Sequence, residues 1–199
     1  MGTRNLTCVV SNERYKVANY GQWDGYPSGL GISLLKFLNE DIDLNKFKEK
    51  VEKCSFIESD EISKLYEECG AEPGAQFVSM EVSDKFKNKH LHLSRDCGAE
   101  ILPLIQNSEN GLKLINQLNF AADSLFCEWA YVIDLDKNTF EVYEGYQKGE
   151  LNDNERFNFL SDKTSQYSPV KFVKSYNLDD LPTQEDFLAV LEPKEENEE

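Results

Sequence analysis

Two strand–turn–strand patterns, separated by a long stretch of mostly helical spacing, constrain the fold of this 199-residue chain most strongly. The first pairs residues 5–10 with residues 15–20, and the second pairs residues 126–134 with residues 139–143. Both are rich in β-branched and aromatic residues on either side of a polar turn. Two hairpins with helices between them predict an antiparallel or mixed sheet with helices packed on it, which is an α+β layered domain.

Apolar residues at helical spacing, together with capping residues, indicate where the other elements lie. In the first strand pair the alternation places Tyr15, Val17 and Asn19 on one face. The predicted helices cover 28–40, 43–54, 60–70, 96–106 (with Pro103 kinking or shortening it), 112–118 and 183–191; the predicted further strands cover 76–82 and 170–176, and 144–168 is mostly loop.

The proportion of apolar residues predicts the number of domains. At 40% hydrophobic residues the chain can bury one sizeable core, so we expect a single α/β domain over residues 1–191. Residues 192–199 carry five Glu against one Lys and no core residue, which predicts an acidic disordered tail.

Charge and cysteine usage exclude several classes of protein. The formal net charge of −16 disfavours direct binding to nucleic acid, which needs a positive surface. No apolar run approaches the ~18–20 residues that span a bilayer, and the chain start does not resemble a secretory signal. The five cysteines are scattered without a C-x-x-C pair, as expected for buried thiols in a reducing cytoplasm. We therefore expect a cytoplasmic protein without a membrane partner, a metal site or a cofactor.

The turn over residues 20–31 is the first candidate binding segment. Its glycines and Pro27 permit a tight turn into a helix, whose free N–H groups attract anions. Trp23 and Tyr26 offer stacking surfaces, and Asp24 offers a carboxylate. The alternative is structural: Asp24 satisfies turn donors while the aromatic rings fill the edge of the core.

Two further segments carry candidate polar groups. Arg95 can hold a carboxylate or a phosphate in two hydrogen bonds, with Asp96 beside it, although this stretch also fits a capped helix packed on the sheet. Glu128 lies among apolar residues, where an unpaired buried carboxylate is costly. It either faces solvent or pairs with a cation such as Arg4 or Arg95.

The opening residues 1–6 (Met-Gly-Thr-Arg-Asn-Leu) and residues 23–25 (Trp-Asp-Gly) resemble N-terminal-nucleophile hydrolases of the choloylglycine type. The mature chains of that family begin Cys-Thr-Arg, and a hairpin turn supplies an Asp that serves the nucleophile. The resemblance implies two stacked sheets between helix layers, with Asp24 in the place of that Asp. It also implies that Thr3 and Arg4 follow the nucleophile.

The same resemblance breaks at the residue that would do the chemistry. Gly2 stands where the nucleophilic Cys belongs, and glycine has no side chain that can attack a substrate. Thr3 would serve only if the first two residues were removed. We therefore expect no catalytic residue in the unprocessed chain.

The chain is also similar to a family of unassigned function found in bacteria, phages and fungi. The shared pattern is Met-Gly-Thr-Arg-x-Leu, a Trp-Asp-Gly-Tyr-Pro-type turn, Leu-Ser-Arg-Asp-x-Gly-Ala and a Glu-Trp-Ala-Tyr-Val-Ile-Asp strand, which together span about residues 1–135. This likeness implies that the candidate segments belong together, and the occurrence in phages suggests a ligand-sequestering or host-modulating role.

The sequence therefore predicts a non-catalytic binding protein for a small polar or anionic, possibly nucleotide-like, ligand. The alternatives are an amidohydrolase processed to Thr3, and an acidic protein-interaction module or inhibitor. The predicted site residues are Thr3, Arg4, Asn19, Trp23, Asp24, Tyr26, Arg95, Asp96 and Glu128.

Overall fold

The computed structural model describes residues 2–162 and 164–192, and its strands fall into two sheets. The strands are β1 (Asn5–Ser11), β2 (Arg14–Gly21), β3 (Ser55–Phe56), β4 (Lys113–Leu114), β5 (Trp129–Asp134), β6 (Thr139–Glu144) and β7 (Lys171–Asn177). The large sheet has the order β2-β1-β5-β6-β7, and β3 and β4 form the small one.

The large sheet is mixed. Its central pair, β1 and β5, is parallel, whereas the β1–β2, β5–β6 and β6–β7 pairs are antiparallel. The predicted α+β class and both hairpins are confirmed. The described residues form this five-stranded sheet and the two-stranded β3–β4 sheet, whereas the resemblance to N-terminal-nucleophile hydrolases implies two stacked sheets between helix layers.

Six α-helices accompany the sheets in the described part of the chain. They are α1 (Ile32–Lys36), flanked by π-helical turns at Pro27–Gly31 and Phe37–Asp41, α2 (Leu44–Glu52), α3 (Ser59–Glu68), α4 (Met80–Lys89), α5 (Ile101–Asn107) and α6 (Gln184–Leu191). Pro103 lies in the first turn of α5, where a missing N–H has little cost, so it shortens the predicted helix without breaking it.

Each face of the large sheet has its own apolar core. Val9, Tyr131 and Phe187 belong to the larger cluster, on the face covered by the helices. The opposite face carries a second cluster, to which the loop between β6 and β7 contributes Phe157. A bulge near Lys16 shifts the β1–β2 register, so Tyr15 packs on the second cluster and does not share the face of Val17 and Asn19 as predicted.

Two predicted elements are wrong. Residues 76–82 are not a strand, because the Ser79 hydroxyl accepts a hydrogen bond from the Val82 N–H and begins α4 there. Residues 112–118 are not a helix, because β4 pairs in parallel with β3. Both stretches have apolar residues whose spacing fits helix and strand about equally well over so short a length.

The described chain ends just after α6, which Thr183 caps as predicted by accepting from the Asp186 N–H. Glu192 accepts a hydrogen bond from the Ser28 N–H (3.1 Å) and so contacts the turn before α1. The rest of the predicted acidic tail, residues 193–199, lies outside the described residues.

The cysteines are all buried and none is bonded to another, which confirms their prediction as small core residues. No helix in the described ranges combines the length and the apolar character that crossing a membrane requires.

Candidate functional site at one edge of the sheet

Hydrogen bonds continue beyond the strand ends at the edge where β1 begins. The N–H of Gln22 donates to the Arg95 carbonyl (3.0 Å), that of Glu128 to the Arg4 carbonyl (3.1 Å), and that of Gly145 to the Glu128 carbonyl (2.8 Å). Because Asn5 pairs with Gly21, Arg4 lies opposite Gln22 by register. The residues Arg95, Gln22, Arg4, Glu128 and Gly145 therefore lie side by side, and we call them the edge row.

Asn5 joins the chain start to the turn that follows β2. Its buried side chain donates from Nδ2 to the carbonyl oxygens of Trp23 (3.1 Å) and Thr3 (3.5 Å). The Gly25 N–H also donates to the Thr3 carbonyl (2.9 Å). A Cβ on Gly25 would lie 2.6 Å from Asn5 Cβ, so only glycine fits this approach. Asn5 was not a predicted site residue, because its only signal in the sequence is a polar residue at the start of an apolar strand.

Gly2 lies beneath the indole ring of Trp23. A Cβ on Gly2 would lie 2.5 Å from the Gln22 carbonyl oxygen and 2.8 Å from Trp23 Cζ3. A nucleophilic side chain at this position therefore has no room unless the turn moves. The chain start lies beside the turn after β2, and this turn leaves no space for a Cβ at residue 2.

Asp96 connects Trp23 to α4. Its carboxylate accepts from Trp23 Nε1 (2.9 Å) through one oxygen and from Lys87 Nζ (2.9 Å) through the other. The Lys87 hydrogen bond, with help from Trp23 and against partial burial, lowers the pKa of Asp96 below its ordinary value. Asp96 therefore stays ionised and fixes the indole ring, while 52% of Trp23 remains exposed.

Asp24 has a left-handed backbone (φ 51°), a conformation that Asp and Asn adopt more readily than most residues. Its carbonyl accepts from the Leu30 N–H (2.8 Å), and its carboxylate accepts from the Tyr26 hydroxyl (3.3 Å). The negative charge of Asp24 raises the pKa of Tyr26. The Tyr26 ring lies against Gly29, where a Cβ would lie 2.9 Å from Tyr26 Cε2.

A cleft of about 670 Å³ lies between this turn and the segment after Asp96. Leu30 and Ile32 give it apolar surface, and the carboxylates of Asp24 and Asp96 line its polar side. Carboxylates accept hydrogen bonds, so this cleft suits a ligand with hydroxyl or amino groups. Its lining comprises Trp23, Asp24, Ser28, Gly29, Leu30, Ile32, Ser33, Lys87, Asp96, Gly98 and Ala99.

Glu128 and Arg4 are neighbours, but not through the charge pair that the sequence suggested. Glu128 Oε1 accepts from the backbone N–H of Arg4 (3.2 Å). The Arg4 guanidinium instead lies over the ring of Phe126, with Cζ 4.4 Å from the ring centroid. The half-buried Glu128 carboxylate accepts its hydrogen bond from the Arg4 backbone and forms no ion pair with the Arg4 guanidinium. The guanidinium therefore remains available to another partner.

Tyr20 lies in β2, two residues before Gln22 of the edge row, and its hydroxyl donates to Gln22 Oε1 (2.6 Å). Burial raises the pKa of Tyr20, and the positive charges of Arg4 and Arg95 oppose that rise. The positive charges of both arginines therefore reach Tyr20, whose ring packs edge-on against Phe120.

The structure divides the predicted pocket into two neighbouring parts. Trp23, Asp24 and Asp96 line the cleft on the helix side, and Tyr26 lies in the same turn without lining it. Arg4, Arg95 and Glu128 lie in the edge row. Thr3 supports the turn through its carbonyl oxygen.

Asn19 is not brought into either part. It is buried opposite Thr7 within the sheet. The Thr7 hydroxyl has no hydrogen-bond partner among the described residues.

The turn after β2 is also fixed to the core. The buried Tyr131 hydroxyl donates to the Gly25 carbonyl (2.8 Å).

Tyr20 and Gln22 lie in the candidate turn over residues 20–31 but were not among the predicted site residues, and Asn5 and Lys87 were not predicted at all. Across residues 2–162 and 164–192, no group of three His, Cys, Asp or Glu side chains is placed to hold a metal ion.

Comparison of the chain with known protein families, curated proteins and solved structures finds no match.

Proposed function

We propose that this chain is a non-catalytic cytoplasmic binding protein that holds a small polar or anionic ligand at this sheet edge. The observation that carries the proposal is the packing of Gly2. With a Cβ placed 2.5 Å from the Gln22 carbonyl oxygen, the position of the family nucleophile accepts no side chain. The chain start and the turn at Asp24 resemble part of a hydrolase active site, but residue 2 has no nucleophilic side chain. The cleft beside them is therefore better suited to binding a ligand than to catalysis.

The parts of the site have complementary roles in this proposal. Arg4 and Arg95 hold an anionic group, and the exposed faces of Trp23 and Tyr26 stack on a planar group. Asp24 accepts a hydrogen bond from a hydroxyl or an amine. A nucleotide-like ligand has the anionic group, the planar base and the hydroxyl groups that these residues would contact. Sequestration of such a ligand fits a phage or host-modulating protein.

Thermal unfolding across a panel of nucleotides and metabolites tests the proposal. We expect a ligand that raises the unfolding temperature of the native chain and has a smaller effect on Asp24→Asn. Asparagine tolerates the left-handed backbone of Asp24, so this variant removes the charge and keeps the turn. Asp153→Asn, in the loop between β6 and β7, is the matched control for loss of one charge. An equal loss of ligand effect in both variants, or no shift with any compound, contradicts the proposal.

The first alternative is an N-terminal-nucleophile amidohydrolase processed to Thr3. The placement of Thr3 beside the Asp24 turn favours it, since the Thr3 carbonyl lies 2.9 Å from the Gly25 N–H. Intact-mass measurement separates the two functions. A chain beginning at Met1 or Gly2 excludes this hydrolase, and a chain beginning at Thr3 supports it over the binding protein.

The second alternative is an acidic protein-interaction module or inhibitor. Trp23, Tyr26, Phe126 and Tyr146 are exposed aromatic residues near this edge, and aromatic residues are enriched at interfaces. Partner binding that disappears at high salt and is unchanged by Asp24→Asn would favour the module.

A further inference from the structure

Three adjacent members of the edge row, Arg95, Gln22 and Arg4, carry side-chain hydrogen-bond donors. Arg4 and Arg95 form no ion pair with a carboxylate in the described part of the chain. The sequence contains only four arginines, so half of them lie at one end of one sheet. In a chain of net charge −16, two neighbouring arginines that form no ion pair mark a place for an external anion, although the charge of Arg95 also contributes to the low pKa of Asp96.

Gln22 lies between these two arginines with its amide orientation fixed. The Tyr20 hydroxyl donates to Gln22 Oε1 (2.6 Å), which occupies the acceptor end of the amide. Gln22 Nε2 has no hydrogen-bond partner among the residues that the structure describes. Gln22 Nε2 is therefore a third available donor in the row, at a position between Arg4 and Arg95.

The surrounding groups keep Arg4 available. Phe126 supports the flat face of its guanidinium at 4.4 Å, which leaves the N–H edge free to donate. Glu128, the nearest acid in the row, accepts from the Arg4 backbone N–H.

The spacing of the row suits one compact anion. Neighbouring strands lie about 4.8 Å apart, so the Arg4 and Arg95 backbones, two positions apart in the row, are separated by roughly 10 Å. Two arginine side chains of ordinary length can meet over such a gap, with the Gln22 amide between them.

We propose that Arg4, Gln22 and Arg95, the donor row, bind a phosphate group in its dianionic form. This rests on the proposed function and names the anionic group of its ligand. Two full positive charges match a phosphomonoester better than a carboxylate, and the planar guanidinium forms paired hydrogen bonds to phosphate oxygens. Inorganic phosphate and a phosphomonoester offer the same chemistry to the row.

Calorimetric titration with inorganic phosphate, adenosine 5′-monophosphate and adenosine tests the proposal. We expect both phosphates to bind, and Arg4→Gln or Arg95→Gln to weaken binding about tenfold or more, the effect of losing a charged hydrogen bond. Arg14→Gln, at the opposite end of β2, removes the same charge and should change affinity less than about twofold. Tighter binding of the monophosphate than of phosphate identifies a phosphomonoester ligand, and equal binding identifies free phosphate.

Two further measurements make the outcome decisive. Gln22→Glu keeps the shape of the side chain but places a negative charge in the row, so it should weaken binding as strongly as loss of an arginine. Affinity should also fall between pH 7.5 and pH 5, because a phosphomonoester loses its second charge near a pKa of about 6. Circular dichroism confirms that each variant is folded.

An equal loss in Arg14→Gln, unchanged affinity in Gln22→Glu, or no binding of either phosphate overturns the donor row. If the chain then still binds an unphosphorylated compound through Asp24, only the phosphate assignment fails and the proposed function stands.

Discussion

Replacement of Arg156 by methionine should destabilise the protein severely and reverse its pH dependence. Arg156 comes from the loop between β6 and β7 and reaches two buried carboxylates on adjacent strands. Its Nη2 lies 2.5 Å from Asp134 Oδ2, and its Nε lies 2.7 Å from Glu141 Oε2. The three side chains are at most 14% exposed, so solvent screens them little.

The expected magnitude follows from leaving two buried carboxylates without their cation. Breaking a buried ion pair by removing one partner costs about 3–5 kcal/mol. For a chain of this size, 1 kcal/mol corresponds to about 2–4 °C in Tm, so Arg156→Met should lower Tm by about 6–20 °C. Urea unfolding followed by circular dichroism measures the free energy directly.

The pH dependence supplies a second readout. Burial alone would raise the pKa values of Asp134 and Glu141, but hydrogen bonds and charge attraction from Arg156 outweigh it, and both pKa values are lowered. In the native chain this stabilisation is therefore complete above the unfolded pKa values of about 4 and is lost as pH falls through the lower folded values.

Without Arg156, burial dominates and both folded pKa values rise above the unfolded ones. The folded variant then binds more protons than the unfolded chain, so its stability should increase as pH falls from 7 to 5, while the native chain gains nothing from these two groups. Adding Asp134→Asn and Glu141→Gln to the variant should remove that gain. A loss below about 1 kcal/mol, with parallel pH profiles for variant and native chain, would refute the account of this cluster.

Three smaller changes test the packing of the site and the caps. Gly2→Ala forces a Cβ against the Gln22 carbonyl oxygen and the Trp23 ring, so it should cost about 1–3 kcal/mol or detach the chain start, and an unchanged urea midpoint would contradict this packing. Asn5→Ala removes both Nδ2 hydrogen bonds that join the chain start to the turn, at about 1 kcal/mol by urea unfolding; a change under about 0.5 kcal/mol would show that the turn does not depend on Asn5. Thr183→Ala should cost about 1 kcal/mol at the start of α6 while Thr183→Ser costs little, and equal losses in calorimetric Tm would argue against a hydroxyl cap.

The elements that sequence predicted well are those with a strong local pattern. Both hairpins alternate apolar and polar residues over enough length to fix their period, and Thr183 carries a complete cap signal. The bulge near Lys16 has no comparable signal in the sequence. Its one extra residue in β2 places Tyr15 on the other face of the sheet. The two-residue strands β3 and β4 are too short for any period, and each exists only because the other lies beside it.

The candidate site residues that the sequence indicated are those whose side chains suggest chemistry on their own, and the residues it did not indicate depend on distant partners. Trp23, Asp24 and Asp96 were chosen for their side chains, and the structure places all three around one cleft. Gln22 gains its role only from Arg95 and Tyr20, contacts that the order of segments at the sheet edge determines. Those partners lie on separate segments, so local spacing carried no signal for them.

Native mass spectrometry of the protein purified directly from cells tests the central claim most directly. The account predicts a chain that begins at Met1 or Gly2 and carries a small-molecule adduct, and it predicts that Asp24→Asn or Arg4→Gln loses this adduct while Arg14→Gln keeps it. A chain that begins at Thr3, or a native chain without an adduct that also shows no thermal shift with nucleotides and metabolites, would contradict a non-catalytic ligand site at this sheet edge.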